Sequence, residues 1–251
     1  MYFVVISIFP EMFAVFKKYG ISSRAIKTGH IHISTVNPRD FTVDSYQSLD
    51  DRPFGGGPGM VMSYEPLEKS ILEAKKTLTP SARIVYLSPQ GIRLTQKRIK
   101  ELCEKPNLIL LCGRYKGIDE RVIKDYIDEE ISIGDYVLSG GEIAAMVLID
   151  SITRLLPNTI NNAESAKEDS FYHGLLDHPH YTRPKILKNG SVAPEVLLSG
   201  NHQKIDEWKH KQRLKQTLKK RRDLINWGQL SLKDQKFLKE LIKKNNSNNN
   251  K

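Results

Sequence analysis

Residues 132–142 read S-I-G-D-Y-V-L-S-G-G-E, and the run I-A-A-M-V-L-I-D-S-I follows at once. The apolar spacing of that run predicts a helix over Glu142 to Leu156, entered through a pair of glycines. A glycine-rich entry to a helix commonly holds a phosphate, because unpaired backbone N–H groups and the helix dipole converge there. Neither G-x-x-x-x-G-K-[ST] nor G-x-G-x-x-G is present in this stretch, so it lacks the spacing with which backbone amides cradle a phosphate chain. What the loop holds instead depends on the strands upstream of it.

Those strands alternate with helical patterns. Residues 2–9 read as a strand, and Ile31 to Val36 as a more polar one. Ile84–Leu87 and Leu108–Leu111 are continuous apolar runs, as strands buried on both faces require. Between and after them, Glu65 to Leu78, Thr95 to Glu104 and Asp119 to Ile127 read as helices, with Pro66 tolerated in a first turn. The alternation predicts an α/β body with a largely parallel sheet. In such sheets ligands gather at the loops beyond the strand C-termini. Three loops qualify: Leu87 to Gly91, Cys112 to Gly117, and 132–142 itself. All are built from Gly, Ser and Pro beside apolar side chains, a lining that suits a flat ring such as adenine better than a triphosphate. Three ordinary tight turns would look the same.

Composition limits the class. A chain of 251 residues has room for a real core in one large or two modest domains. No apolar run reaches the ~18 residues of a membrane span. The opening M-Y-F-V-V-I-S-I-F-P-E lacks a basic leader, and Pro10 and Glu11 break its apolar run, so a buried first strand is expected. Cys103 and Cys112 offer neither metal spacing nor a disulfide framework. A soluble cytoplasmic protein is the expectation. The net charge of +10 is unevenly placed: Gly200 onward carries 15 Lys and Arg against 5 Asp and Glu, and 24 of each sign precede it. A neutral body with a basic tail points to nucleic acid.

The segment 157–174 is polar and weakly periodic, which reads as a linker or mobile loop. Beyond it the chain becomes helical and basic. Ser231 with Asp234 forms a capping-box pattern, Phe237, Leu238, Leu241 and Ile242 share one helix face, and N-N-S-N-N-N-K at the end is expected to fray.

Six motifs occur together and in order: D-D-R-P-F-G-G-G-P-G-M (50–60), Y-L-S-P-Q-G (86–91), G-R-Y-K-G-I-D-E-R (113–121), 132–142, E-D-S-F (168–171) and H-Y-T-R-P (180–184). From Ile6 to about His202 the sequence closely resembles the bacterial TrmD family, tRNA (guanine-N1)-methyltransferases of the SPOUT superfamily that act at position 37. The resemblance implies a SPOUT-type largely parallel sheet with a C-terminal trefoil knot, followed by a small helical domain. The domains would be a methyltransferase body at 1–160, a flexible linker at 161–174, a helical tRNA-binding domain at 175–246 and a disordered tail at 247–251. It implies S-adenosylmethionine held in a bent shape by Tyr86, Leu87, Ser88, Pro89, Gly113, Ser132, Ile133, Gly134, Tyr136, Leu138, Gly140 and Gly141. The function implied is methylation of N1 of guanosine 37, next to the anticodon, which maintains the reading frame.

The family's catalytic pair matches Asp169 and Arg154. Guanine N1 is protonated at neutral pH, so a carboxylate must take that proton while a guanidinium steadies charge at O6. A homodimer with a shared active site is also implied. Ser165 and Asp177 match functional positions, and Lys209, Lys211, Arg213, Lys215, Lys219, Lys220, Arg221 and Arg222 are expected on tRNA phosphates. One departure stands out: the family usually has glutamate where this chain has Lys116. An ammonium cannot ligate Mg²⁺, so the family's metal dependence is in doubt here: metal use is expected to be altered or weakened, or another carboxylate substitutes. His173, Asp177, His178 and His180 could mimic a metal site, but no fixed helical pair is present and none is expected to hold one. Two other functions compete: another SPOUT RNA methylation, such as ribose methylation, and a non-catalytic RNA-binding regulator.

Overall fold

The computed structural model describes residues 1–78, 82–160 and 163–249. It divides the chain into two compact units, Met1–Ala163 and Glu164–Lys251.

In the first unit, β1 (Tyr2–Ile6) is followed by α1 (Ala14–Lys18), α2 (Gly20–Lys27) and β2 (His32–Val36). A short antiparallel pair, β3 (Asp50–Asp51) and β4 (Val61–Met62), brackets the glycine-rich stretch 52–60. Then come α3 (Tyr64–Lys76), β5 (Arg83–Arg93), α4 (Gln96–Cys103), β6 (Asn107–Cys112), α5 (Glu120–Tyr126), β7 (Glu129–Ser132) and α6 (Glu142–Thr153). Five strands form one parallel sheet in the order β2-β1-β6-β5-β7. The expected α/β body is therefore present.

The sheet is covered on both faces, and the strand period of two decides which side chain goes where. Phe3, Val5, Val85, Leu108, Leu110 and Cys112 pack with Ala25 of α2, Ile99 and Leu102 of α4, and Ala145, Leu148 and Ile149 of α6. Val4, Ile6, Ile84, Ile109 and Leu111 pack on the other side with Leu67 and Ile71 of α3 and Val122 of α5. Each fully buried Leu or Ile contributes roughly 1.5–3 kcal/mol. Thr95 and Asp119, which open two expected helices, are their N-caps: Thr95 Oγ1 accepts from Arg98 N at 3.3 Å, and Asp119 Oδ1 from Arg121 N at 2.9 Å.

Three features depart from the sequence expectation. Helices α1 and α2 had no reading. Strand β7, E-E-I-S, hid behind two acids; Glu129 is nevertheless buried because Arg83 Nε donates to it at 3.1 Å and Arg98 Nε at 2.6 Å. Finally, Ser88 to Gly91 is not a loop after a strand but lies inside β5. Leu87 and Ile92 both pair with Ile131, so the residues between them bulge out of register. Ser88 Oγ accepts from Gln90 N at 3.1 Å and steadies the bulge. Gly91 is required there, since a Cβ would collide with the Glu130 carbonyl carbon.

Helix α7 (Ala163–Glu168) begins at the last residue of the first unit and falls where the sequence reads as linker; A-E-S-A-K-E is too short to show a period. Residues 161 and 162, and the side chain of Ser165, lie outside the described residues. Helices α8 (His202–Lys220) and α9 (Leu232–Asn249) enclose a small core of Leu214, Ile225 and Leu238, joined by Leu175, Trp227, Phe237 and Leu241. Ser231 caps α9: its Oγ accepts from Asp234 N at 3.1 Å, and Asp234 Oδ2 accepts from the Ser231 hydroxyl at 2.8 Å. The stretch 245–251 expected to fray, with the disordered tail expected at 247–251, overlaps the end of α9 at Asn249, and residues 250 and 251 lie outside the described residues. No helix among the described residues is long and apolar enough to cross a membrane.

Candidate functional site

Strand β5 is flanked by β6 and β7, its two successors, so the chain turns to opposite sides of it. That switch point is where an open parallel sheet leaves a crevice at its strand C-termini. A cleft lies there. All twelve residues expected at the cofactor line it: Tyr86, Leu87, Ser88 and Pro89 from β5, Gly113 after β6, Ser132 and Ile133 at and beyond the end of β7, then Gly134, Tyr136, Leu138, Gly140 and Gly141.

The walls are held by specific bonds. Gly141 N donates to Gly113 O at 2.9 Å, and Arg114 and Gly140 form an antiparallel bridge. Gly141 allows the contact: a Cβ there would stand 2.8 Å from Cys112 Cα, too close for any side chain. Ser132 Oγ donates to Gly134 O at 3.1 Å, and Tyr136 OH donates to Ile133 O at 3.3 Å. Tyr86 is buried, and burial followed by the charge of Glu130 pushes its phenol up to about 12, so it stays neutral in the cleft.

Sequence reasoning missed the group that ties these walls together. Glu142 is 1% exposed and opens α6, where the helix dipole favours an anion. Its Oε1 accepts from Ser7 Oγ at 2.9 Å and from Arg114 Nε at 3.2 Å, while Arg114 Nη2 stands 2.9 Å from Oε2. Arg114 Nη1 also donates to Ser139 O at 3.2 Å, and its guanidinium lies over the Phe9 ring at 4.6 Å. A buried carboxylate is stable only with such compensation. The signal was on the page, a lone Glu directly after the glycine pair and an Arg directly after Gly113, but their pairing is a long-range fact. Beneath them Cys112 is fully buried, and burial pushes its thiol well up, as an inert core thiol requires.

Lys116 also lines the cleft. Its N donates to Met60 O at 2.9 Å, and its stem crosses Gly59, with Cγ 2.8 Å from where a Cβ would be. Among the described residues no carboxylate lines this cleft, whereas Arg114 and Lys116 do. The lining therefore does not fit a divalent cation.

The two expected catalytic groups fall in different units. Arg154 ends α6, its N donating to Asp150 O at 3.0 Å; Asp169 follows α7 on an exposed turn. In the second unit the expected phosphate contacts sort by exposure. Lys211, Lys215, Lys219, Lys220, Arg221 and Arg222 are exposed, and the first three recur every four residues along one face of α8. Lys209 and Arg213 are half-buried. Arg221 is partly engaged, with Nη2 2.7 Å from Asp223 Oδ2.

Asp177 is not a free surface acid. It accepts from His178 N at 2.7 Å, from His180 Nε2 at 2.9 Å and from Arg213 Nε at 3.3 Å. Partial burial alone would raise its carboxyl, but these hydrogen bonds outweigh it and hold the group below the usual aspartate value. Ligand atoms of Asp177, His178 and His180 lie within 4.8 Å of one another. His180 and Arg213 already occupy the carboxylate oxygens, and His173 packs edge-on against Tyr172 instead.

A family model described as "tRNA (Guanine-1)-methyltransferase TrmD" matches residues 1–227. Proteins named tRNA (guanine-N(1)-)-methyltransferase are similar over nearly the whole chain. That of Francisella tularensis subsp. holarctica is 54% identical over 238 residues, 95% of this chain and 94% of the relative. Those of Pseudomonas putida W619 (54% over 239 residues, 95% of each chain) and Stutzerimonas stutzeri A1501 (54% over 242 residues, 96% of each chain) are as similar. A match of this extent, together with the glycine-walled cleft at the sheet's switch point, means that the chain belongs to the TrmD tRNA (guanine-1)-methyltransferase family.

Proposed function

We propose that this chain transfers a methyl group from S-adenosylmethionine to N1 of guanosine 37 in tRNA, beside the anticodon. The observation that carries the reading is the meeting of twelve dispersed residues on one cleft, in a chain of this family. The cleft fits the cofactor chemically: backbone amides and carbonyls can read an adenine edge, apolar side chains flank it, and the neutral Tyr86 adds no charge beside a sulfonium. When bound, S-adenosylmethionine supplies an electrophilic methyl group that needs in-line attack.

In this reading the bulged stretch 86–91 of β5 and the loops at 113–117 and 132–141 form a trefoil knot, and the Arg114–Glu142 pair fastens them. Asp169 takes the N1 proton, and the Arg154 guanidinium steadies the charge that develops at O6. Residues 1–160 form the catalytic body, 161–174 the link, 175–246 the tRNA-binding helices and 247–251 a free end. Two copies share each site. Exposed apolar side chains beside the cleft (Val137 at 87%, with Tyr136, Ile143 and Val147) support a second copy as their cover. The exposed lysine stripe of α8, with Ser165, Lys209, Arg221 and Arg222, meets the tRNA, in the cytoplasm where tRNA is modified. No step runs through Mg²⁺, because the cleft presents cations where a metal needs carboxylates.

The test is direct. Incubation with S-adenosylmethionine and an unmodified tRNA carrying guanosine 37, followed by digestion, should yield N1-methylguanosine. Asp169→Asn should keep cofactor binding and lower turnover about 10²-fold or more. A ribose-methylated product, or full turnover in Asp169→Asn, would overturn the mechanism. Activity should be insensitive to chelation of Mg²⁺, and Lys116→Glu should acquire a dependence; equal and strong dependence in both proteins would refute the assignment of Lys116.

A further inference from the structure

Asp169 stands on a turn whose two ends are both fastened to α8 through the same pair of residues. On one side, Arg213 Nη2 donates to the Glu168 main-chain oxygen at 3.5 Å and stands 3.8 Å from the Glu168 carboxylate. On the other, Ser170 Oγ accepts from Asp177 N at 2.9 Å. Arg213 Nε then donates to Asp177 Oδ1 at 3.3 Å, which joins the two sides. The turn is closed by Tyr172 N to Asp169 O at 3.3 Å and Phe171 N to Leu175 O at 2.8 Å. Leu176 N donates to Thr217 Oγ1 at 2.9 Å, so the returning segment is anchored one turn further along α8.

We infer that Arg213 and Asp177 are positioning residues that hold the Asp169-bearing turn on α8, and that Arg213 is not a phosphate contact. The inference rests on the reading of Asp169 as the group that takes the N1 proton. Three observations carry it. Arg213 is half-buried, unlike Lys211, Lys215 and Lys219 on the same helix, which face solvent. Its Nε and Nη2 are engaged by oxygens on both arms of the turn, so the guanidinium plane is fixed against the turn and not held out to solvent. Asp177, whose oxygens are shared among His180, Arg213 and its neighbour's amide, is likewise spent on the protein. A planar fork can bridge two acceptors on diverging segments; an ammonium offers one point. A general base must lie within hydrogen-bond reach of its proton, so loosening this turn by about 1 Å is expected to cost on the order of 10²-fold in rate.

The experiment uses the full-length protein with unmodified tRNA and S-adenosylmethionine, measured at several salt concentrations and in single turnover. Arg213→Gln should lower kcat and the single-turnover rate about 10- to 100-fold, with KM for tRNA and its salt slope unchanged. Asp177→Asn should behave alike, and the double variant should be no worse than the worse single, because one clamp has been opened twice. Arg213→Lys should not restore the rate. Lys215→Gln, by contrast, should raise KM for tRNA and flatten the salt slope. Trp208 and Trp227 both lie in this unit, so their emission reports whether it is folded. If Arg213→Gln unfolds it, Ser170→Ala removes one tie more gently and should still lower kcat at constant KM. A raised KM and a flattened slope in Arg213→Gln, with kcat kept, would make Arg213 a phosphate ligand and overturn the inference. Full turnover in Asp169→Asn is a separate outcome, and it would remove the reading beneath the inference instead.

Discussion

The two units are stabilised by different physics. In the first, a five-stranded sheet is covered on both faces by apolar helix surfaces, and an ion pair between the buried Glu142 and the partly exposed Arg114 fastens the cleft. In the second, three buried side chains make the core, and much of the local order comes from polar hubs at Asp177 and Asp234. Burial of apolar area gives rigidity that salt and pH hardly touch, whereas partly exposed ionic contacts yield to both. Under the proposed function, a rigid cleft in one unit and an adjustable basic surface in the other suit a cofactor of fixed shape and a large polyanion.

That contrast can be broken or sharpened by experiment. The largest effect is expected from Glu142→Gln, which leaves the partly exposed Arg114 without its counter-charge and turns a buried amide N–H towards it; the first unit should lose about 3 kcal/mol. Thermal melting followed by far-UV circular dichroism checks it, and a change below the error of the measurement would mean that the pair is solvated. Next comes Leu238→Ala. With so small a core, a loss of about 2–4 kcal/mol should move the tryptophan-detected transition, since Trp227 packs in the same cluster. Joint neutralisation of Lys211, Lys215 and Lys219 should leave both transitions in place and make the logarithmic salt dependence of tRNA binding shallower by about 2–3. Acid should act on the second unit through Asp177 and Asp234, whose carboxyls are held below the ordinary value of 3.8 against the opposing effect of partial burial. Groups depressed by folding add stability above their unfolded pKa and lose it as pH falls through the folded one. Tryptophan emission should therefore change below about pH 3.8, and Asp177→Asn should blunt that change.

How much of this was legible in the sequence follows the range of the interactions. Leu108–Leu111 announces a strand buried on both faces because its period is local, and Ser231 with Asp234 announces a helix start for the same reason. Glu129 could not announce β7: two adjacent acids read as surface until Arg83 and Arg98 arrive from elsewhere in the chain. Ser88 to Gly91 looked like a turn because Gly, Ser and Pro mark bulges and turns alike. At the site, motif resemblance gathered the residues that line the cleft, yet composition treated Arg213 as one more cation. Its partners, at Glu168 and Asp177, lie 45 and 36 positions away.

Ser7 and Glu142 are separated by 135 positions, yet they share a buried hydrogen bond, and Glu142 in turn holds the cleft-lining Arg114. A chain emerging from the ribosome therefore cannot finish this pocket until α6 has been made and docked, long after β1 could pair with β2. Contacts so distant in sequence form late. Whatever binds there recognises only the completed body, and by mass action it protects that body as a whole, by about 2.7 kcal/mol at a hundredfold excess over Kd.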